Sequence, residues 1–173
     1  RLSKALLFES GPAVKIILAA VGRLKNGPER DLCARYLERA QASARGVALS
    51  GVEMKEIDEG RARRVEDRKA EEAKALAGFI ADGARLIVLD ERGRAISSAD
   101  FAADIGRARD DGAPAYALVI GGPDGIDPDL RAKAHKVIAF GAMTWPHQLV
   151  RIMATEQIYR AITILAGHPY HRV

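Results

Sequence analysis

Five short apolar runs recur along the chain, separated by longer stretches that are polar or that carry apolar residues at helical spacing. The runs cover residues 14–22, 47–58, 85–90, 116–120 and 136–140. They are rich in β-branched residues, and in the central runs nearly every position is apolar rather than every second one. Such strands are typical of a parallel sheet that helices bury on both faces.

Helical spacing and capping residues mark the stretches between these runs. Helices are predicted over residues 29–44, 97–112, 127–134 and 147–166. Pro28 is placed to open the first of them, Ser97 or Ser98 to cap the second, and Asp127 to cap the third. The regular alternation of strand and helix predicts an α/β fold.

A densely charged segment, EGRARRVEDRKAEEAK, occupies residues 59–74. Its first part has the composition of a mobile loop and its second part that of an exposed helix start, with the helix continuing to a stop at Gly83. The loop over residues 60–69 carries arginines at positions 61, 63, 64 and 68. They either contact phosphate or form a solvated surface, because seven basic and seven acidic groups balance across residues 55–74.

The length of 173 residues suits one domain, and a composition of 48% apolar and 29% charged residues is ordinary for a globular protein. Residues 1–13 lack an initiator methionine and precede the first strand, so we expect a cloning remnant or a variable extension there and a single domain over 14–173. No apolar run is long enough for a membrane span. Cys33 is the only cysteine, which fits a cytoplasmic location, and its apolar helix face predicts a core residue.

Positive charge is concentrated at the C-terminal end. Residues 131–173 carry six basic side chains and one acid, whereas the other 130 residues carry 21 basic and 22 acidic ones. All four histidines also lie in this part of the chain. The asymmetry indicates an anionic partner, with nucleic acid as the first candidate, although a solvated basic face explains the charge alone equally well.

Three strand ends are candidates for a ligand site: VLDERG (88–93), VIGGPDG (119–125) and IAFGAMTWPH (138–147). In open α/β sheets the ligand lies beyond the carboxyl ends of the strands. Gly121 and Gly122 directly follow an apolar strand, where glycine either lets the backbone approach a ligand or makes a tight turn.

Common catalytic and nucleotide-binding motifs are absent. The sequence has no G-x-G-x-x-G and no G-x-S-x-G, and GRLKNGPE (22–29) lacks the Lys and Ser/Thr of a phosphate loop. The two histidines of HPYH have no third ligand nearby, so no metal site is predicted.

The last long helix, HQLVRIMATEQIYRAITILA, is apolar nearly all round. Such a helix is buried on most sides, either in a homodimer interface or against its own sheet. Glu156 and Arg160 are spaced for an ion pair, whereas Arg151 has no acid four residues on. His147 follows Pro146 and is interpreted as a helix-start residue.

Taken together, IGGPDG, TWPHQLVRIMATEQIYRA and the ending HPYHR closely resemble the RlmH family of SPOUT-class methyltransferases over residues 14–173. The resemblance implies an α/β SPOUT-type sheet flanked by helices, with a deep trefoil knot in the C-terminal part. It implies a cytoplasmic homodimer, formed through the C-terminal helix, that uses S-adenosylmethionine and no metal. The implied reaction methylates N3 of a pseudouridine in 23S ribosomal RNA on the assembled ribosome.

The same resemblance implies which residues bind the methyl donor. They come from the three strand ends named above: Leu89, Gly121, Gly122, Phe140, Gly141, Ala142, Met143, Thr144 and Trp145. Apolar walls and backbone hydrogen bonds suit an adenine ring. Trp145 departs from the smaller aliphatic residue expected in relatives.

The C-terminal tail and one helical arginine are the implied catalytic residues. Tyr170 would stack on or hydrogen-bond a base, Arg172 would bind phosphate, and His171 or His168 would help remove the N3 proton. Arg151 completes the set. In the family, the tail of one subunit approaches the donor pocket of the other.

Two other functions are compatible with the sequence. One is a related SPOUT enzyme acting on transfer RNA or another base, which the tail HPYHR disfavours. The other is an RNA-binding or ribosome-associated protein that has lost catalysis, which the intact donor-loop glycines and tail disfavour.

Overall fold

The structure is a computed structural model that describes residues 13–172. Its five strands form one parallel sheet in the order β2-β1-β4-β3-β5. Their bounds are β1 Lys15–Val21, β2 Gly51–Ile57, β3 Arg85–Ala95, β4 Ala115–Ile120 and β5 Lys136–Ala139. The predicted α/β fold with a parallel sheet is therefore confirmed, while the extension predicted over residues 1–13 lies outside the described residues except for its last position.

Five α-helices cover the two faces of this sheet. They are α1 Pro28–Ala44, α2 Val65–Ala77, α3 Ser98–Asp110, α4 Pro128–Ala132 and α5 His147–Leu165. Side chains of α1, α3 and α5 share one core with the sheet, and side chains of α2 and α4 share the other. The domain therefore has three layers.

The apolar strands are explained by this double burial. In β1, Ile16 and Leu18 belong to the core under α1, α3 and α5, whereas Ile17 and Ala19 belong to the core under α2 and α4. Successive side chains of a strand point to opposite faces. A strand buried on both sides must therefore be apolar at every position, which is the pattern that predicted the parallel sheet.

Capping residues act as the sequence predicted. The hydroxyl oxygen of Ser97 accepts a hydrogen bond from the backbone N–H of Asp100. Ser97 is thus the N-cap of α3, which begins at Ser98. A carboxylate oxygen of Asp127 accepts from the first N–H groups of α4. These side chains satisfy backbone donors that have no partner inside the helix.

The helix predicted to run to Gly83 ends earlier. In the structure α2 stops at Ala77, and the N–H groups of Phe79 and Ile80 bond to carbonyls three residues back in tightened turns. The turns let Phe79 and Ile80 pack against the core beneath α2. Gly83 serves the next turn, with a φ of 79°.

Two predicted strand boundaries were also wrong. The strand expected from residue 47 begins at Gly51, because residues 45–47 form a single 3-10 turn. The strand expected to end at residue 90 continues to Ala95, because Arg94 and Ala95 pair with β5 beyond a bulge. The start of β2 and the end of β3 are both set by backbone pairing with a neighbouring strand. Such pairing leaves no local signal in the sequence.

Helix α5 packs along α1 and α3 within the chain. Ala154, Ile158 and Ile162 on this face are fully buried. On the other side Leu149 is 42% exposed. Burial against its own domain therefore accounts for one face of the apolar helix.

A buried carboxylate joins three elements of the fold. Asp104 of α3 is 1% exposed and accepts hydrogen bonds from the Tyr116 hydroxyl of β4, the Lys136 ammonium of β5 and Arg107. Burial raises the pKa of Asp104, but the hydrogen bonds from Lys136 and Tyr116 and the nearby positive charge outweigh it and hold that pKa below its usual range. The ionised carboxylate is thus the form that the fold stabilises.

We expect Asp104→Asn to lower the free energy of unfolding by about 2 kcal/mol at neutral pH, because it removes charge-assisted hydrogen bonds. The pKa of Asp104 is lower in the folded state than the value of about 3.9 in the unfolded state. The ionised carboxylate therefore stabilises the fold fully above that unfolded value, and this contribution is lost as the pH falls through the lower folded pKa. Urea denaturation should therefore show the gap between wild type and variant closing below about pH 4.

Asp82→Asn is the matched control, because Asp82 is exposed and forms no ion pair within residues 13–172. An equal effect of both substitutions, or a gap independent of pH, would contradict the role of Asp104.

Candidate active site

The carboxyl ends of β4 and β5 and the bulge of β3 that follows Leu89 surround a cavity of about 440 Å³. Residues 89–92 of β3 and the segments that follow β4 and β5 form most of its wall, and Lys69 of α2 with His147 and Val150 of α5 complete it. A cavity of this size at the carboxyl edge of a parallel sheet is the usual position for a small-molecule site.

The residues expected to bind a methyl donor meet at this cavity. Its lining includes Leu89, Gly121, Gly122, Phe140, Gly141, Met143, Thr144 and Trp145. Ala142 belongs to the same loop but is not among the lining residues. The structure therefore brings together segments that are far apart in the sequence.

The glycines after β4 form a tight turn on the cavity wall. The N–H of Gly125 bonds to the carbonyl of Gly122, and Gly125 has a φ of 90°. A Cβ at Gly121 would lie 2.8 Å from Ile126, and one at Gly122 would lie 2.9 Å from Val21. Both positions require glycine, because the residues packed behind the loop leave no room for a side chain. Without side chains, the backbone of the turn itself faces the cavity.

The loop after β5 is closed by its own side chains. The indole N–H of Trp145 donates to the carbonyl of Phe140 at 3.3 Å, and the Thr144 hydroxyl donates to Glu91 at the same distance. Met143 remains 73% exposed. Trp145, which departs from the expected aliphatic residue, thus holds the loop in its turn.

Helix α2 braces the glycine turn, a contact that the sequence analysis missed. Arg68 donates to the carboxylate of Asp124 at 2.8 Å and also to the carbonyls of Ala62 and Arg63. The Arg68 guanidinium holds the pKa of Asp124 below its usual range. The only local sequence signal for this contact is the helical spacing, which places Arg68 one turn before the buried Glu72 and so on a neighbouring part of the same face.

The C-terminal tail folds back onto α5. The Tyr170 hydroxyl donates to Glu156 at 3.0 Å, and the Tyr170 ring lies 4.8 Å from the guanidinium of Arg160 and from the ring of Tyr159. His171 Nδ1 lies 3.3 Å from an Arg160 nitrogen. The predicted ion pair between Glu156 and Arg160 is confirmed.

This arrangement sets the state of the tail side chains. Burial and the Glu156 carboxylate raise the pKa of Tyr170 to about 12, so its hydroxyl stays protonated at neutral pH. Arg172 is exposed. None of Tyr170, His171 and Arg172 lines the cavity of its own chain.

Arg151, an implied catalytic residue, lies inside the protein and outside the cavity lining. Its side chain is 2% exposed and donates to Glu56 at 2.8 Å and to the carbonyls of Gly22 and Val21 at the end of β1. Nearby Cys33 is buried as predicted, and burial raises the pKa of its thiol. The geometry gives Arg151 the role of tying α5 to the sheet.

His147 begins α5, as the sequence predicted, and also lies on the cavity wall, which the sequence did not predict. It follows Pro146 directly, and only the fold brings it to the cavity. Across residues 13–172 no cluster of three His, Cys, Asp or Glu side chains is placed to hold a metal ion, and no helix is long and apolar enough to cross a membrane.

Comparison with known proteins places the chain in a defined group. Residues 14–171 match the family described as "Predicted SPOUT methyltransferase". Proteins named Ribosomal RNA large subunit methyltransferase H are 54% identical in Methylocella silvestris and 55% identical in Bradyrhizobium sp. strain ORS 278. Both alignments span 159 residues, which are 92% of this chain and 99% and 98% of the respective relatives.

Two solved structures with a similar fold are more distant in sequence. The SpoU methyltransferase AviRb of Streptomyces viridochromogenes, solved with AdoMet, is 12% identical with a TM-score of 0.40 over 91% of this chain and 60% of its own. The A. aeolicus TrmH/SpoU tRNA modifying enzyme is 16% identical with a TM-score of 0.39 over 94% and 83%. At this distance the likeness says nothing about the site of this chain.

We expect Arg151→Met and Glu56→Gln each to lower the free energy of unfolding by about 3 kcal/mol, because each leaves a buried charge without its partner. The double variant should lose less than the sum of the two, since no unpaired charge remains. Urea denaturation of the four proteins gives the coupling directly.

Arg39→Met is the control, because Arg39 is exposed on α1 and forms no ion pair within residues 13–172. Unchanged stability of Arg151→Met would contradict the structural role and leave this side chain free for catalysis.

Proposed function

The chain belongs to the SPOUT methyltransferase family, and on that premise we propose that it transfers a methyl group from S-adenosylmethionine to 23S ribosomal RNA. The relatives that cover 92% of the chain at 54–55% identity carry the name of a large-subunit ribosomal RNA methyltransferase. The structural observation that carries the proposal is the cavity at which the ends of β4 and β5 meet the bulge of β3. We take residues 14–173 as one methyltransferase domain.

The cavity fits the methyl donor in size and in the chemistry of its wall. Leu89, Ile120 and Phe140 supply apolar surface for the adenine ring, and the turn at Gly121–Gly125 presents backbone polar groups. A side chain at Gly121 or Gly122 has no room between the turn and its packing partners. When bound, S-adenosylmethionine supplies an activated methyl group, so the protein needs to position the acceptor and accept its proton.

The acceptor we propose is N3 of a pseudouridine on the assembled ribosome in the cytoplasm. Support comes from the tail, whose residues suit a nucleotide, and from the excess of positive charge over residues 131–173. His171 or His168 accepts the N3 proton, because a neutral imidazole ring has a nitrogen lone pair that can take up a proton. Tyr170 keeps its proton and offers its ring or hydroxyl to the base, and the exposed Arg172 binds phosphate. No metal takes part.

We further propose a homodimer through α5. The tail lies on α5 rather than in the cavity of its own chain, so a second subunit is needed to bring a tail to each cavity. Leu149, Met143 and Trp145 are apolar and exposed close to the first turn of α5. Pairing of this face would cover them and join two active sites across the interface.

The trefoil knot of the family is likewise proposed for this chain. β5 pairs with both halves of β3, before and after the bulge that follows Leu89. The chain then crosses to the face where α5 packs against α1 and α3. This course is compatible with a C-terminal segment that passes through the loop following β3.

The activity is tested with purified protein, methyl-labelled S-adenosylmethionine and ribosomes that lack the modification, with the label mapped on the RNA. Label at one pseudouridine of 23S RNA supports donor, substrate and position together. Label on transfer RNA would show a related SPOUT enzyme instead. Donor binding without label on any RNA would refute ribosomal RNA as the substrate, and no donor binding would show a binding protein.

We expect His171→Ala and Arg172→Ala each to slow methyl transfer at least tenfold, because one removes a proton acceptor and the other a phosphate contact. Donor affinity, measured by calorimetry, should stay within about twofold, since in the proposed mechanism both side chains contact the RNA acceptor and not the donor.

Arg39→Ala serves as the control for loss of an exposed positive charge outside residues 131–173. Wild-type turnover in both tail variants would remove the tail from the mechanism.

A further inference from the structure

Helix α2 presents one lysine on the face that packs against the sheet. Residues 69, 72, 73 and 76 lie at helical spacing, and of these Glu72 is 5% exposed, Leu76 is 1% exposed and Ala73 packs partly into the core. Lys69 opens this stripe and is itself half-buried, at the point where the helix reaches the cavity. A half-buried ammonium on a cavity wall is stabilised by a polar or charged partner.

The backbone around Lys69 is held on both sides. Arg68 is ion-paired with Asp124 of the glycine turn at 2.8 Å. Glu72 accepts a hydrogen bond from the N–H of Gly60 at 2.9 Å and lies directly behind Gly122. The helix and the turn therefore form one unit, and Lys69 projects from a fixed position beside the turn.

The charged side chains that line the cavity differ in whether they have a partner within the protein. Asp90 pairs with Arg92 at 3.2 Å, and Asp124 pairs with Arg68. Glu91 accepts a hydrogen bond from Thr144. Lys69 adds to the positive charge around Asp124 but forms no ion pair or side-chain hydrogen bond with any residue between 13 and 172. Its ammonium is therefore free to contact an anion bound in the cavity.

We propose that Lys69 binds the carboxylate of the methionyl moiety of S-adenosylmethionine. The assignment rests on the proposed function and names a donor-binding residue outside the three strand-end segments. A carboxylate is favoured over RNA phosphate because Lys69 lies on the cavity wall beside the glycine turn. Arg61, Arg63 and Arg64, by contrast, are exposed on the preceding loop.

The test compares two ligands that differ in the amino-acid moiety. S-Adenosylhomocysteine carries the carboxylate, whereas methylthioadenosine keeps the adenosine and sulfur but lacks it. Calorimetry on Lys69→Ala should show about ten- to hundredfold weaker binding of S-adenosylhomocysteine, the loss expected for one charge-assisted hydrogen bond. Methylthioadenosine affinity should be unchanged, and Lys69→Arg should recover most of the lost affinity.

Lys74→Ala is the matched control, since Lys74 is exposed on the same helix and does not line the cavity. If Lys69→Ala lowered the affinity for both ligands equally, the proposal would be overturned, because the loss would then come from a distorted pocket. Unchanged affinity for both, with a raised KM for ribosomes, would overturn it in favour of an RNA contact. A wild-type protein that binds neither ligand would overturn the proposed function itself, and the proposal with it.

Discussion

The carboxyl edge of the sheet depends on a close backbone contact between β3 and β5. β5 has only four residues, and β3 pairs with it twice, at Ile87–Leu89 and again at Arg94 and Ala95. The second pairing is possible because Gly93 has no side chain: a Cβ there would lie 2.5 Å from the carbonyl carbon of Ile138. This contact fixes where the chain leaves β5, and so brings the loop over residues 140–146 to the glycine turn.

Buried polar contacts then attach the helices to that sheet. Arg151 joins α5 to the ends of β1 and β2, and Asp104 joins α3 to β4 and β5. Apolar packing is non-directional, whereas such hydrogen bonds are satisfied in only one arrangement of the elements. They therefore specify where the first turn of α5 lies, and that turn places His147 and Val150 on the cavity wall.

The cavity and the tail divide the chemistry between them. The cavity has apolar walls, exposed backbone and, at Lys69, an ammonium that has no ion pair among residues 13–172, which suits a small donor with a carboxylate. The tail holds an imidazole, a protonated phenol and an exposed guanidinium, which suit a nucleotide. Because the tail is anchored to Glu156 on α5, the proposed homodimer is the arrangement that would bring the two parts together.

The sequence by itself determined most of the elements and the main segments that line the cavity. Uniformly apolar strands indicated a parallel sheet, Ser97 and Asp127 marked helix starts, and the glycines after β4 marked the site, because each is a local consequence of burial or backbone geometry. Only the tertiary structure decided the extension of β3, the early end of α2, the buried role of Arg151 and the place of Lys69 and His147 on the cavity wall. Each of these depends on a partner distant in sequence, such as Ile138, Glu56 or Asp124, and no local pattern records which distant residue will be the neighbour.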